Sequence, residues 1–271
     1  MTSSLLMPRR RVGTRTTRSG AAAGGTAPTP ILDWRHPAVA AFVGRIDAAP
    51  GAQAAPHADH RIAQLHRAHR VIAAYVRPVY SVQDERPVSE VLRRRRGSCS
   101  QRLAVLECVA RASGVATRVR GLLVDGRFWY PRFPRLRFVV PRHVVLAWPE
   151  FRVDGPSPDG GGTAAWLTAS ELFADLHESG AGSAGGFTNA GAETLFEAVS
   201  RTAVDWDGVT VCPAAGPGCD LSAYVVADLG HHDSRDALFD RHGQSLCGTA
   251  RLIAEPVLGR RAAGAQGAAA L

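Results

Sequence analysis

The sequence predicts an α+β fold in which helices come first and an antiparallel sheet follows. Apolar residues recur at spacings of three and four from Ile62 to Val76, which predicts an amphipathic helix. From Thr117 to Val124 apolar and polar residues alternate before an apolar run, which is typical of a strand. Asp125 and Gly126 then predict a two-residue turn into a further strand at Phe128, Trp129 and Tyr130. With 271 residues, 45% of them apolar and 21% charged, the chain has the composition and length to bury a sizeable core.

A second helix is predicted where the sequence provides both a start and a stop. Ser98 is a suitable N-cap, and Gln101 three residues later completes a capping box, so Cys99 takes the first helical position. Gly114 supplies a left-handed end. The unpaired N–H groups and the positive dipole end of a first turn favour an anion such as a thiolate. We therefore expect Cys99 to be a reactive thiol, the alternative being a small buried core residue.

A β-hairpin is predicted further along the chain. The apolar runs HVVLAW and FRVD are separated by Pro149 and Glu150, which suit a two-residue loop. With that loop, His143 and Asp154 lie on the same face as diagonal neighbours. A loop one residue longer would put them on opposite faces.

These three residues form a set that nucleophilic thiol chemistry requires. Cys99 as a thiolate attacks a carbonyl, and His143 takes the thiol proton and later returns one to the leaving group. Asp154 fixes the imidazole tautomer and stabilises its charged form. The backbone N–H of Cys99 is a candidate oxyanion donor.

The stretch from about Arg67 to Asp159 resembles the transglutaminase-like superfamily of cysteine enzymes. VSEVLRRRRGSCSQRLAVLECVARASGVATRVRG resembles that family's nucleophile helix and following strand, HVVLAW its histidine strand, and FRVDGPSPD the strand that ends in its acidic member. The resemblance implies a papain-like α+β core with the nucleophile helix packed on an antiparallel sheet. It also implies that Cys99, His143 and Asp154 are the catalytic triad.

From this we expect a thiol hydrolase or acyltransferase: a peptidase, a deamidase or an amide-forming enzyme. It would form a thioester acyl-enzyme on a peptide, protein or small amide or ester substrate and pass the acyl group to water or an amine. The alternative is a non-catalytic transglutaminase-fold module that binds protein.

Four regions are predicted along the chain. We expect a disordered basic arm over residues 1–30, a catalytic core over 31–165, a mostly helical extension over 166–259 and a flexible tail over 260–271. In the extension, WLTASELFADLHESG, ETLFEAVSRTAVDW and DSRDALFDRHGQ are the predicted helices.

The charge distribution argues against a nucleic-acid partner. The net charge is +8, but residues 1–20 carry five arginines and no acid, so the rest of the chain is close to neutral. The run Arg93–Arg96 is interpreted as a solvated stretch leading into the helix. The aromatic segment FWYPRFPRLRF is assigned to the wall of a substrate cleft, with ordinary sheet packing or a stacking platform as alternatives.

Neither a metal nor a cofactor is expected. The five cysteines have no paired zinc spacing, and their odd number does not suggest a disulfide framework. His232, Asp236 and Asp240 are interpreted as the solvated edge of a helix. The N-terminal residues lack the apolar region of a secretory signal and no stretch is long enough to span a membrane, so we expect a bacterial, cytoplasmic protein without membrane contact.

Overall fold

The computed structural model combines a helical layer with a four-stranded antiparallel sheet, as the α+β prediction requires. The residues it describes are 22–49, 57–135, 137–154, 164–173, 187, 189, 193–199, 202, 221–246, 248–259 and 263.

Four helices precede the sheet in the chain. They are α1 (Pro37–Asp47), α2 (His57–Tyr75), α3 (Val88–Arg94) and α4 (Cys99–Ala112). The predicted helices at Ile62–Val76 and after Ser98 are confirmed as α2 and α4. Leu65, Ile72 and Val76 are fully buried, as their helical spacing predicts. Gly114 has φ +79°, so it ends α4 in the left-handed conformation that favours glycine.

A short parallel ladder leads into α4. Its strands are β1 (Arg77–Pro78) and β2 (Arg96–Gly97), with Arg77 opposite Arg96. Gly97 lies in a tight space. A Cβ at this position would lie 3.1 Å from the Val91 side chain and 3.2 Å from the Gln101 side chain. The chain therefore reaches Cys99 along a closely packed path.

The main sheet has the order β5-β4-β3-β6, with every pair antiparallel. The strands are β3 (Ala116–Asp125), β4 (His143–Asp154), β5 (Ala164–Thr168) and β6 (Val225–His232). Along β3, buried Thr117 and Val119 alternate with half-buried Arg118 and Arg120. The predicted strand at Thr117–Val124 is confirmed.

The predicted hairpin is wrong, because His143 to Asp154 is one continuous strand. Pro149 pairs with Val119 inside the β3–β4 ladder. The β4–β5 ladder ends at the pair Glu150 and Thr168, so Pro149 lies just beyond it. A proline without an N–H is tolerated where no neighbouring strand needs that donor.

The segment after β3 is also different from the prediction. Asp125 and Gly126 do not form a two-residue turn into a new strand. Residues Gly126–Arg132 form a 3₁₀-helix instead, because the Asp125 side chain accepts a hydrogen bond from the backbone N–H of Arg127 at 2.8 Å. Further 3₁₀ turns occupy Arg137–Val139 and Leu221–Tyr224.

The region predicted as a helical extension completes the core sheet. Trp166 lies in β5 rather than in a helix, and of the described residues of that predicted helix only Ala169–Leu172 (α5) are helical. β6 pairs with β3 at one edge of the sheet, so residues on both sides of residue 165 contribute strands to the same sheet. The helices α6 (Arg235–His242) and α7 (Gly248–Leu258) follow. The described residues of the remaining predicted helix, 193–199, form turns.

Two further expectations are corrected by the same part of the structure. His232 ends β6 and does not share a helix with Asp236 and Asp240, which lie on α6. Residues 22–30, assigned to a disordered arm, lie against the sheet: Gly25 pairs with Thr117, and Arg118 donates to the carbonyl of Ala22 at 3.3 Å. Residues 1–21 lie outside the described residues.

Among the helices that the structure describes, none combines the length and apolarity needed to cross a membrane.

Candidate active site

Cys99 is the first residue of α4, and the capping box that places it there is complete. The Ser98 hydroxyl accepts from the backbone N–H of Gln101 at 3.3 Å, and the Gln101 side chain accepts from the backbone N–H of Ser98 at 3.0 Å. The Gln101 amide also donates to Ser81 Oγ at 2.9 Å and to the carbonyl of Gln83 at 2.8 Å. The first turn is therefore tied to the loop before α3.

The two described thiols differ in accessibility. Cys99 is half-buried at the edge of the core, whereas Cys108 is fully buried. Burial raises the pKa of the Cys108 thiol well above its usual value, and the nearby charges of Asp33 and Glu107 act in the same direction. Cys99 is thus the better candidate nucleophile of the two. Cys212, Cys219 and Cys247 lie outside the described residues.

The structure does not bring His143 and Asp154 together. They begin and end β4, and eleven residue steps of about 3.3 Å place them about 36 Å apart. Because eleven is odd, they also lie on opposite faces of the sheet. The predicted pairing of His143 with Asp154 is therefore wrong.

Asp125 is the carboxylate that the structure places beside His143. The two residues face each other directly across β3 and β4. Hydrogen bonds from Arg127 lower the pKa of the Asp125 carboxyl, with a smaller contribution in the same direction from the charge of His143. The sequence predicts Asp125 as a turn residue. Its position opposite His143 is set by the β3–β4 register.

The His143–Asp125 pair lies on the sheet face that carries α4 and α6. Arg111 of α4 donates to Thr117 Oγ1 at 2.7 Å, and Leu238 of α6 packs so closely on Gly121 that a Cβ there would lie 2.5 Å from Leu238 Cδ1. Thr117, Gly121 and Asp125 share one face by strand alternation. His143 joins that face through its pairing with Asp125.

Arg235 of α6 fixes the position of the first turn of α4 along β4. Its guanidinium donates to Ser100 Oγ at 3.0 Å and to the carbonyl of Ala147 at 3.3 Å. His143 lies four residues, or about 13 Å, along β4 from Ala147. Cys99 and His143 thus share a face, but among the described residues no hydrogen bond joins the thiol to the ring.

A buried polar cluster lies behind Cys99. Arg235 also donates to Glu107 at 2.5 Å, and both of these side chains are fully buried. The Ser100 hydroxyl is hydrogen-bonded to the carboxyl of Asp84. Although the Asp84 residue keeps some surface exposure, its carboxyl is enclosed.

Asp84 is a titratable group that sequence reasoning missed. Desolvation raises its pKa to about 6, against the opposing effects of Ser100 and Arg235. In the sequence Asp84 stands in the loop segment SVQDERP, where no periodicity or motif marks it. Only the tertiary structure identifies Asp84, by bringing it close to Ser100 of α4 and Arg235 of α6.

The aromatic residues that were expected to line a substrate cleft lie partly in the core and partly at the surface. Phe128 is buried, with ring-centroid distances of 4.9 Å to Trp129 and 5.4 Å to Tyr224. Phe133 is buried 4.7 Å from the Tyr80 ring, whereas Phe138 is 75% exposed. Phe128 and Phe133 therefore serve core packing.

Comparison with known proteins adds no assignment. The chain matches no model of a known protein family, no curated protein and no solved structure. Any function must therefore be argued from the residues described above.

Proposed function

We propose that this protein is a thiol acyl-transfer enzyme with a transglutaminase-like core, in which Cys99 is the nucleophile and His143 the general base. Asp125 replaces Asp154 as the carboxylate that orients the imidazole. The substrate class is a peptide, protein or small-molecule amide or ester.

The reaction proceeds in two steps, acylation of Cys99 and then deacylation. His143 takes the Cys99 proton while sulfur bonds to the carbonyl carbon; the carbon–nitrogen or carbon–oxygen bond then breaks, and the leaving amine or alcohol takes the proton from the imidazolium. Water or an amine next attacks the thioester carbonyl while His143 takes its proton; the carbon–sulfur bond then breaks, and the imidazolium returns the proton to the departing Cys99 thiolate. First-turn backbone N–H groups of α4 stabilise the oxyanion.

The observation that carries this proposal is the position of Cys99 as the half-buried first residue of a capped helix. Such a position leaves the sulfur within reach of a reagent and places it beside the unpaired backbone N–H groups of the first turn. The pairing of His143 with Asp125 on the α4 face supplies an imidazole with an adjacent carboxylate. The proposal requires His143 and the first turn of α4 to approach each other when substrate binds, because His143 lies about 13 Å along β4 from Ala147, which Arg235 links to that turn.

A specific observation favours the second candidate, a non-catalytic binding module. Polar side chains of the α4 first turn already have internal partners: Ser100 engages Arg235, and Gln101 engages Ser81. A site with such satisfied groups is stable without a substrate.

Intact-mass spectrometry with an activated acyl ester distinguishes the two candidates. The thiol enzyme should gain one acyl group in the wild type and in Cys108→Ala, but not in Cys99→Ala. His143→Ala should slow adduct formation, because it removes the base. If the wild type gains no adduct, or if Cys99→Ala gains the same adduct at the same rate, acyl transfer at Cys99 is refuted and the binding module stands.

A further inference from the structure

We propose that a cavity bordered by Arg86, Arg94 and Arg96 binds a phosphate group. This inference is independent of acyl transfer at Cys99, because it depends on a separate set of residues and is tested by binding alone.

The cavity lies where the β1–β2 ladder meets α7. It has a volume of about 180 Å³ and is also lined by Val79, Glu255, Pro256 and Gly259. A cavity needs only about 10–15 Å³ of such space to hold one water molecule. There is therefore room for a tetrahedral oxyanion together with bound water.

The single acidic residue of the lining is already neutralised. Glu255 accepts from Arg86 at 2.6 Å, in an ion pair whose side chains are 10% and 14% exposed. Its oxygens also accept from Ser81 Oγ and from the backbone N–H of Val82. Within the described part of the chain Glu255 thus pairs with Arg86 and not with Arg96, while Arg94 pairs with Glu90 outside the lining.

The arginines of the run Arg93–Arg96, before α4, differ in the contacts that they make. Arg93 and Arg94 donate through Nε to Glu90, at 2.6 Å and 2.5 Å, and Arg95 lies over the Tyr75 ring at 4.9 Å from its centroid. These contacts account for Arg93 and Arg95, and they leave the terminal nitrogens of Arg94 without a hydrogen bond within the described part of the chain.

Arg96 has no compensating contact. Within the ranges that the structure describes, its half-buried guanidinium makes no hydrogen bond, ion pair or ring contact. Arg77 faces it directly across the β1–β2 ladder and carries the same charge. A bound anion would supply Arg96 with an opposite charge that it lacks among the described residues.

Phosphate suits this lining better than a carboxylate does. Three guanidinium groups border the cavity, and a phosphate offers more oxygen acceptors than the two of a carboxylate. Arginine forks match phosphate geometry and remain charged at every working pH.

Isothermal titration of the full chain with inorganic phosphate tests the proposal, at ionic strength matched with chloride. We expect saturable binding, weakened by about tenfold or more in Arg96→Gln, since losing a charge-assisted hydrogen bond costs about that factor in an equilibrium constant. Arg94→Gln, on an exposed helix surface, should weaken it as well. Titration with glycerol 3-phosphate then shows whether the free ion or an ester binds more tightly.

Arg77→Gln is the matched control. It removes the same charge at the position paired with Arg96, but Arg77 does not line the cavity. We expect the affinity of this variant to stay within about twofold of the wild type, because an exposed side chain outside the lining donates no hydrogen bond to an anion in the cavity. The proposal is overturned if phosphate gives no saturable heat, if acetate binds equally well, or if Arg77→Gln and Arg96→Gln lose the same affinity.

Discussion

The Glu107 carboxylate on α4 accepts a hydrogen bond from Arg235 Nε on α6 at 2.5 Å, and neither side chain is exposed to solvent. Burial raises the pKa of the Glu107 carboxyl, while the charge and hydrogen bond of Arg235 lower it. Arg235 also holds Ser100 and the Ala147 carbonyl. One buried cation thus joins α4, α6 and the central strand β4.

Removing one partner of this pair should be costly. Arg235→Ala leaves the Glu107 charge buried and unpaired, which costs roughly 3–5 kcal/mol of the free energy of unfolding. The measurement is a urea unfolding midpoint at an unchanged slope. Arg93→Ala breaks the exposed pair with Glu90 and is the control, with little change expected. A loss below about 1 kcal/mol in Arg235→Ala would show that the pair has little structural importance.

Asp84 should make stability depend on pH. Its pKa is raised from 3.8 to about 6 in the folded chain by desolvation, so the folded state binds more protons than the unfolded state between those values. The stabilisation from protonated Asp84 is complete below about pH 4 and is lost as the pH rises through about 6.

The comparison with Asp84→Asn isolates this effect, because asparagine does not titrate. The stability of the wild type relative to Asp84→Asn should fall by roughly 1–3 kcal/mol between about pH 4 and 7. Urea titrations of both proteins across this range provide the test. If the difference in the free energy of unfolding between the two proteins stays constant with pH, the Asp84 carboxyl is solvated in the folded chain.

Local chemistry explains which parts of the fold the sequence predicted. The start of α4 depends on Ser98 and Gln101, three residues apart, and its end on Gly114, so neighbouring residues contain the whole signal. The burial of Leu65 and Ile72 likewise follows from helical periodicity. Such features do not depend on the rest of the molecule.

The missed features depend on distant parts of the chain. Pro149 is compatible with either a turn or a strand, and the place where β5 ends decides between them. The same uncertainty led to Asp154 instead of Asp125 as the partner of His143, because strand register is set by tertiary pairing. Desolvation raises the pKa of Asp84, and this burial arises only when the folded chain brings it beside Ser100 of α4.

Gly126 controls the approach to β4 and should not tolerate a side chain. A Cβ at this position would lie 1.9 Å from the Pro141 carbonyl oxygen, which is backbone and cannot rotate away. We expect Gly126→Ala to cost about 1–3 kcal/mol or more in thermal or urea unfolding. Gly44→Ala is the matched control: it lies in α1 with no atom within 4 Å of the new Cβ, and it should gain about 0.5–1 kcal/mol. Equal effects at the two glycines would contradict this packing.

Asp125 and Asp154 provide the sharpest test of how His143 is oriented. Asp125→Asn keeps the shape of the side chain facing His143 but removes the charge that would stabilise an imidazolium. The acylation rate at Cys99 should therefore fall by about tenfold or more, because the variant has no charge to stabilise the imidazolium that forms when His143 takes the thiol proton. Asp154→Asn makes the same chemical change about 36 Å away on the opposite face and should leave the rate unchanged. Stopped-flow measurement of acylation across the neutral pH range checks both variants. A rate that depends on Asp154 but not on Asp125 would require β4 to fold back on itself as a hairpin in solution.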